Sequence, residues 1–187
     1  MRIIGGRHRG AKLADVAGNK TRPTADRVRE SIFNILSGGR YGSPLVDGIV
    51  LDLFAGTGAI GLEALSRGAT WANFVEKDPA ALAVVRKNIH KLRRMDDCRV
   101  IAGDATRLSN WRGNPANLVF ADAPYGTGDG LRAVANLNAI GALQPESIAV
   151  IETGRQEELD PDILATTSLK RIDSRHYGKA AVHFLTS

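Results

Sequence analysis

The segment best placed to do chemistry is a glycine-rich loop, Gly56-Thr57-Gly58-Ala59-Ile60-Gly61, between a short apolar run and a stretch of helical periodicity. Its spacing is that of the G-x-G-x-x-G loop that binds dinucleotides. Glu76 follows Gly58 by eighteen residues, where an acidic side chain can accept hydrogen bonds from ribose hydroxyls. This pattern alone permits a nicotinamide cofactor and an oxidoreductase.

Asp52 argues against a pyrophosphate beside this loop. It ends the apolar run Ile49-Val50-Leu51-Asp52-Leu53, immediately before the glycines. A carboxylate there would repel a pyrophosphate but attract the ammonium and sulfonium groups of S-adenosylmethionine. We therefore favour the methyl donor over a dinucleotide.

A second constellation follows the fourth apolar run and suits a nucleobase amine. It consists of Asp122, Ala123, Pro124 and Tyr125. The tyrosine ring can stack on a planar base, while the Asp122 carboxylate and the Ala123 carbonyl accept the two amine protons. Methyl transfer from a sulfonium needs positioning more than a strong base. The tetrapeptide alone would be an ordinary turn, but together with the loop, Asp52 and Glu76 it predicts a methyltransferase acting on a base amine.

The basic charge lies almost entirely in the first fifth of the chain. Residues 1–40 hold nine Lys and Arg against three Asp and Glu, whereas the remaining residues hold sixteen against seventeen. Arginine next to glycine in this segment suits close approach to a phosphate backbone. We expect a polyanion partner, contacted by Arg2, Arg7, Arg9, Arg22, Arg27 and Arg29.

The first forty residues predict a small hairpin followed by a helix. Met1–Val16 has two short apolar pieces around a glycine-rich turn. Thr24 is a candidate N-cap for a helix over Ala25–Ser37, which Gly38-Gly39 would end. Arg27 and Arg29 are expected on the exposed side of this helix.

From Ile49 onward, short apolar runs alternate with helical periodicity, which predicts a mostly parallel sheet covered by helices. Helices are expected over Ala59–Arg67 and from Pro79, with Asp78 as N-cap. The tail from Thr166 to Leu185 predicts an antiparallel hairpin turning at Gly178. Ligands of such sheets bind at the carboxyl ends of the strands. The predicted strands are Ile49–Leu53, Phe74–Glu76, Arg99–Ala102, Leu118–Ala121 and Ile148–Ile151.

Composition excludes several classes of protein. The chain has 187 residues, 43% hydrophobic and 24% charged, which is typical of a globular domain and not of a disordered chain. No apolar run approaches the roughly 20 residues of a membrane span. The single cysteine, Cys98, excludes an internal disulfide and a cysteine-cluster zinc site, and the histidines lack metal-ligand spacing. We expect a cytoplasmic protein with no metal and no membrane contact.

The chain resembles the RsmD-type guanine-N2 methyltransferases of small-subunit (16S) ribosomal RNA over essentially its whole length. The most distinctive stretch is Thr21-Arg22-Pro23-Thr24-Ala25-Asp26-Arg27-Val28-Arg29-Glu30-Ser31-Ile32-Phe33-Asn34. Further matches are Met1–Gly6, Leu51–Gly58, Phe74–Glu76 and Tyr177-Gly178. The family usually has Asp-Pro-Pro before the aromatic residue. Ala123 replaces the first proline here, so the backbone loses one fixed φ angle.

The resemblance implies a Rossmann-like class I methyltransferase with a seven-stranded sheet whose last strand is antiparallel. In it, residues 1–40 would be a basic extension for RNA docking and residues 41–187 the methyltransferase domain. It implies that Asp52, Phe54, Gly56 and Gly58 hold the methionine part of S-adenosylmethionine, that Glu76 takes the ribose hydroxyls, and that Asp104 and Ala105 contact the adenine. The implied partner is 16S ribosomal RNA, in the small subunit or an assembly intermediate, with the enzyme a monomer.

Other functions stay open on the residues alone. The same active-site tetrapeptide would serve a methyltransferase of adenine or cytosine amines in DNA or in other RNA. Ala123 also permits a non-catalytic RNA-binding module with a vestigial cofactor pocket. An oxidoreductase is disfavoured by Asp52.

Overall fold

One seven-stranded sheet organises the protein, with the strand order β3-β2-β1-β4-β5-β7-β6. The computed structural model describes residues 1–16 and 23–187, with side chains in the first helix from residue 26 onward. Only β7 runs antiparallel to its neighbours, so the predicted seven-stranded sheet with an antiparallel last strand is confirmed. The strands are β1 Ile49–Leu53, β2 Trp71–Glu76, β3 Cys98–Ala102, β4 Ala116–Asp122, β5 Leu143–Gly154, β6 Lys170–Tyr177 and β7 Ala180–Thr186.

Helices connect the parallel strands, as the alternating periodicity predicts. Asp78 caps α3 by accepting from the Ala81 amide, with Pro79 at the first helical position, as expected. The predicted N-cap at Thr24 is wrong, because the first helix already begins at Pro23. None of the described helices is long and apolar enough to cross a membrane. The helices are α1 Pro23–Ser37, α2 Ala59–Ser66, α3 Pro79–Lys91, α4 Asp129–Ala139 and α5 Pro161–Ala165.

The described residues of the N-terminal segment pack into the same core as the sheet. Ile3, Phe33 and Leu36 are at most 1% exposed and share one apolar cluster with Phe74 and Phe120 from the centre of the sheet. Phe33 lies with its ring centroid 5.5 Å from that of Phe120. The opposite face of the sheet has a separate cluster under α4. The described part of this segment therefore helps to build one face of the core of the sheet.

The predicted hairpin over Met1–Val16 is reduced to a single antiparallel bridge between Arg2 and Lys12, closed by a 3₁₀ turn over Gly6–His8. This turn fits tightly against the end of α2. Gly6 has a φ of +72°, and a Cβ there would lie 1.8 Å from the carbonyl oxygen of Ser66. Only glycine fits this position, which fastens the basic turn to α2.

Buried polar side chains anchor the N-terminal segment to the helices around the glycine-rich loop. Glu63 of α2 is fully buried and accepts from the amides of Ile4 and Gly5 at 2.7 and 2.8 Å. Asn88 of α3 is also fully buried and donates to the carbonyl oxygens of both Ala14 and Thr57. The N-terminal segment and the loop are thus joined through one amide side chain.

Candidate functional site

The end of β1 places Asp52 beneath the start of α2. Its side chain is only 2% exposed, and Oδ2 accepts a hydrogen bond from the amide of Gly61 at 2.9 Å. A Cβ on Gly61 would lie 2.4 Å from the ring of Phe74, so glycine lets the helix approach the strands this closely. Phe54, next in the chain, has a φ of 59° and turns the backbone into the loop.

The electrostatic environment of Asp52 is strongly anionic. Burial, followed by the charges of Asp122 and Glu76, raises the pKa of Asp52 to about 8. The hydrogen bond from the Gly61 amide and the charge of Arg29 act in the opposite direction and lower it. The carboxyl ends of β1, β2 and β4 therefore bring three acidic side chains together. A cation bound among them would stabilise the ionised form of Asp52.

Glu76, the last residue of β2, organises the glycine-rich loop. Its Oε2 accepts from the amide of Gly56 at 2.8 Å, and its Oε1 accepts from the amides of Lys77 and Asp78 at 2.8 and 2.9 Å. A carboxylate offers about four acceptor positions, so capacity for one ribose hydroxyl is left. Gly58 has a φ of 74°, and a Cβ there would lie 2.5 Å from Val85.

Asp104 follows β3 and caps a short 3₁₀ turn that contains the buried Ala105. Its Oδ1 accepts from the amide and the hydroxyl of Thr106, and these hydrogen bonds hold the pKa of Asp104 well below its usual range. Its Oδ2 lies 3.2 Å from the ammonium of Lys77. The contact with adenine that the resemblance implies for Asp104 and Ala105 stays a prediction.

The predicted substrate loop begins at the end of β4. Asp122 is the last residue of that strand, Ala123 is buried, and Pro124 and Tyr125 are exposed. The hydroxyl of Tyr125 donates to Oε1 of Glu152 at 2.6 Å. The structure therefore places the aromatic side chain beside the Glu152 carboxylate.

Two glutamates that the sequence analysis did not single out hold this loop. Glu152 pairs with Asp122 in the parallel register of β4 and β5. Glu157 accepts from the amides of Gly126, Gly128 and Gly154, at 2.8, 3.3 and 3.2 Å. Glu152 could have been found, because it directly follows the predicted strand Ile148–Ile151 at the ligand-binding edge. Nothing local marks Glu157, whose partners are mostly distant in the chain.

Asp122 and Glu152 form a second acidic pair at this edge. Although the Asp122 side chain is accessible to solvent, the dense protein around it, with the charge of Glu152, raises its pKa. Burial also raises the pKa of Glu152, against the Tyr125 hydroxyl, which lowers it. Neighbouring carboxylates with raised pKa values are typical of functional sites, which makes this edge a candidate site.

A small cavity of about 50 Å³ adjoins the loop, bordered by Ala123, Pro124 and Glu152. Its volume is far below the roughly 300–1,000 Å³ of pockets that enclose a ligand. A base held by the loop would therefore lie over the tetrapeptide and not inside this cavity.

The predicted basic contacts separate into exposed and buried residues. Arg2, Arg7, Arg9 and Arg27 are exposed. Arg22 lies outside the described residues. The expectation that Arg29 faces outward is wrong: it is 6% exposed and donates to the carbonyl oxygen of Arg2 and to Asp26. Because its guanidinium is held inside the protein, Arg29 is not available to bind a phosphate backbone.

The site as a whole is built for a cationic ligand. The carboxylates of Asp52, Glu76, Asp122 and Glu152 lie at the carboxyl ends of four adjacent strands. A pyrophosphate would be repelled there, whereas a sulfonium and an ammonium would be attracted. The residues present therefore fit S-adenosylmethionine better than a dinucleotide. Among the residues that the structure describes, no group of His, Cys, Asp and Glu is arranged to hold a metal ion.

Known proteins match this chain over most of its length. A ribosomal RNA small subunit methyltransferase D from Escherichia coli (strain K12) is 39% identical over 171 residues, covering 91% of this chain and 83% of that protein. The protein of the same name from Haemophilus influenzae is 32% identical over 162 residues, covering 85% and 81%. A solved structure of an Escherichia coli protein has a TM-score of 0.81 at 34% identity, covering 100% of this chain and 97% of that chain.

The family match includes both the N-terminal segment and the sheet. The family described as conserved hypothetical protein 95 matches residues 1–186. The sheet order and the antiparallel β7 are those of a class I methyltransferase, as predicted. The chain therefore belongs to this family, the RsmD-type family of ribosomal RNA small subunit methyltransferase D.

Proposed function

We propose that this protein transfers a methyl group from S-adenosylmethionine to the exocyclic N2 amine of a guanine in 16S ribosomal RNA. The observation that carries the proposal is the row of strand-end carboxylates beside the Asp122–Tyr125 loop. The names of the relatives support ribosomal RNA as the substrate.

The cofactor would be held at the glycine-rich loop. Asp52 and the loop backbone would take its methionine part, with Phe54 at the turn, and Glu76 would take the ribose. Asp104 and Ala105 would border the adenine. When bound, S-adenosylmethionine supplies an electrophilic methyl group on a sulfonium.

The substrate amine would be held at the end of β4. Asp122 and the Ala123 carbonyl accept its two protons, which directs the nitrogen lone pair towards the methyl donor. Tyr125 stacks on the base and Pro124 stiffens the turn. After the nitrogen is methylated it carries an extra proton, and the raised pKa of Asp122 makes that carboxylate a suitable acceptor. Ala123 still offers its carbonyl, so its replacement of the usual proline preserves this scheme.

The N-terminal segment, residues 1–40, would dock the RNA. Arg7 and Arg9 lie on the turn that Gly6 fastens to α2, and Arg2 and Arg27 are also exposed. Guanidinium groups on a rigid turn can bind phosphate oxygens bidentately. We place the reaction in the cytoplasm, on the small subunit or an assembly intermediate, with the enzyme acting as a monomer.

The experiment offers labelled S-adenosylmethionine with unmodified small subunits, bare 16S ribosomal RNA or DNA, and then identifies the modified nucleoside and its position. We expect N2-methylguanosine in the ribosomal samples only. N6-methyladenosine or N4-methylcytosine, or label in DNA, would contradict the proposal. Absence of label in all three samples, with RNA binding retained, would instead indicate a non-catalytic module.

A further inference from the structure

Asp122 and Glu152 present two carboxylates side by side at the substrate loop. They are register partners on adjacent parallel strands, so their side chains leave the same face of the sheet about 4.8 Å apart at the backbone. Tyr125 donates to Oε1 of Glu152. Across residues 1–16 and 26–187, the structure shows no hydrogen-bond donor to Oε2 of Glu152 or to the Asp122 carboxylate.

Two adjacent carboxylates repel each other when both are ionised, and a ligand that brings two hydrogen-bond donors relieves this repulsion. The Watson–Crick edge of guanine does so, because its N1–H lies next to its N2 amine. Adenine and cytosine instead place an unprotonated ring nitrogen next to their amines, and this acceptor would face a carboxylate. The pair therefore favours guanine over the other two amine-bearing bases.

We propose that Glu152 is a specificity-determining residue that accepts a hydrogen bond from N1–H of the target guanine while Asp122 holds the N2 amine. This inference rests on the proposed function and assigns a role to a residue outside the Asp122–Tyr125 loop. The Tyr125 hydroxyl fixes the Glu152 side chain through Oε1, which leaves Oε2 for the base. Glu152 also borders the open cavity beside Ala123 and Pro124.

The test replaces the target guanine by 2-aminopurine, which keeps the 2-amine but has an unprotonated N1. Small-subunit RNA is assembled by ligation with guanosine or 2-aminopurine riboside at the mapped acceptor position, and single-turnover methylation rates are compared. A lost hydrogen bond to a charged group corresponds to roughly 10- to 100-fold. We expect the unaltered protein to prefer guanine by that factor. In Glu152→Gln the amide can donate to N1 of 2-aminopurine, so the preference should fall to within about threefold.

Three further variants separate base recognition from other effects. Glu152→Asp keeps the carboxylate and should keep the preference for guanine. Tyr125→Phe removes the hydrogen bond to Glu152 and should slow both substrates while leaving a clear preference. Glu158→Gln removes a charge from a side chain that is 84% exposed and should change neither rate.

An unchanged preference in Glu152→Gln, in protein with the circular dichroism spectrum of the unaltered chain, would overturn the inference. If Glu152→Gln does not fold, loss of the guanine preference in Glu152→Asp would overturn it as well. Failure of the unaltered protein to methylate guanine at all would instead overturn the proposed function.

Discussion

We expect the affinity for S-adenosylmethionine to depend strongly on pH. In the cofactor-free protein, burial and the nearby charges of Asp122 and Glu76 raise the pKa of Asp52 to about 8. At neutral pH this carboxyl therefore holds a proton in most molecules. A sulfonium and an ammonium stabilise only its ionised form, so their binding should expel that proton.

The magnitude follows from linkage. Between about pH 6 and about pH 7, binding should release close to one proton, and affinity should rise by nearly tenfold per pH unit, or about 1.4 kcal/mol. Near pH 8, where about half of the Asp52 carboxyls are ionised before binding, the release should fall to about half a proton. Above the pKa of Asp52 the gain should level off. Isothermal calorimetry of S-adenosylmethionine binding, repeated in buffers of different ionisation enthalpy, measures both the affinity and the number of protons released.

Asp52→Asn supplies the matched control because it keeps the shape of the side chain and removes the titration. Its affinity should be lower by roughly 1.5–3 kcal/mol near pH 8, the range for a hydrogen bond to a charged group. Its dependence on pH should be much flatter. Equal affinity at pH 6 and pH 8 in the unaltered protein, without proton release, would refute the reasoning, since Asp52 would then be ionised before the cofactor arrives.

Three further outcomes are expected. Asp122→Ala should lower single-turnover methylation by about 10²–10³ with cofactor affinity preserved by calorimetry, because Asp122 holds the amine; near-normal turnover would exclude that role. Glu63→Ala should lower the free energy of unfolding in urea by about 3–5 kcal/mol, because it leaves the partly buried guanidinium of Arg67 and two amides without their acceptor, while Glu158→Ala should stay within about 0.5 kcal/mol. Neutralising Arg7 and Arg9 together should reduce the slope of log affinity for RNA against log salt concentration by about 0.7–0.9 per lost phosphate contact. Neutralising Lys170 and Arg171 in edge strand β6 is the matched control, and an equal slope in the two double variants would show that Arg7 and Arg9 are only solvated.

Much of the fold could be predicted because its signals are local. Alternating apolar runs and helical periodicity identified the parallel strands, and Gly178 identified the final hairpin. The rule that ligands bind at the carboxyl ends of parallel strands then brought Asp52, Glu76 and Asp122 together before any contact was known.

The placement of Arg29 shows where local patterns fail. Its charge predicted an exposed position like that of Arg27, yet residues two apart in a helix point to nearly opposite sides. Because α1 packs closely against the N-terminal segment, the carbonyl oxygen of Arg2 becomes the partner of Arg29. A long side chain can be buried when a distant backbone group satisfies it, and no pattern within the helix reveals that group.

The sequence by itself determined which side chains end each strand, because period and polarity are properties of neighbouring residues. Only the tertiary structure decided how those ends are held. Glu63 reaches Ile4 across 59 residues, and Tyr125 reaches Glu152 across 27. Such contacts depend on strand order and helix packing. These bring together residues that are far apart in the chain, and no local sequence pattern indicates that they meet. The register of β4 and β5 placed Glu152 beside Asp122 for the same reason.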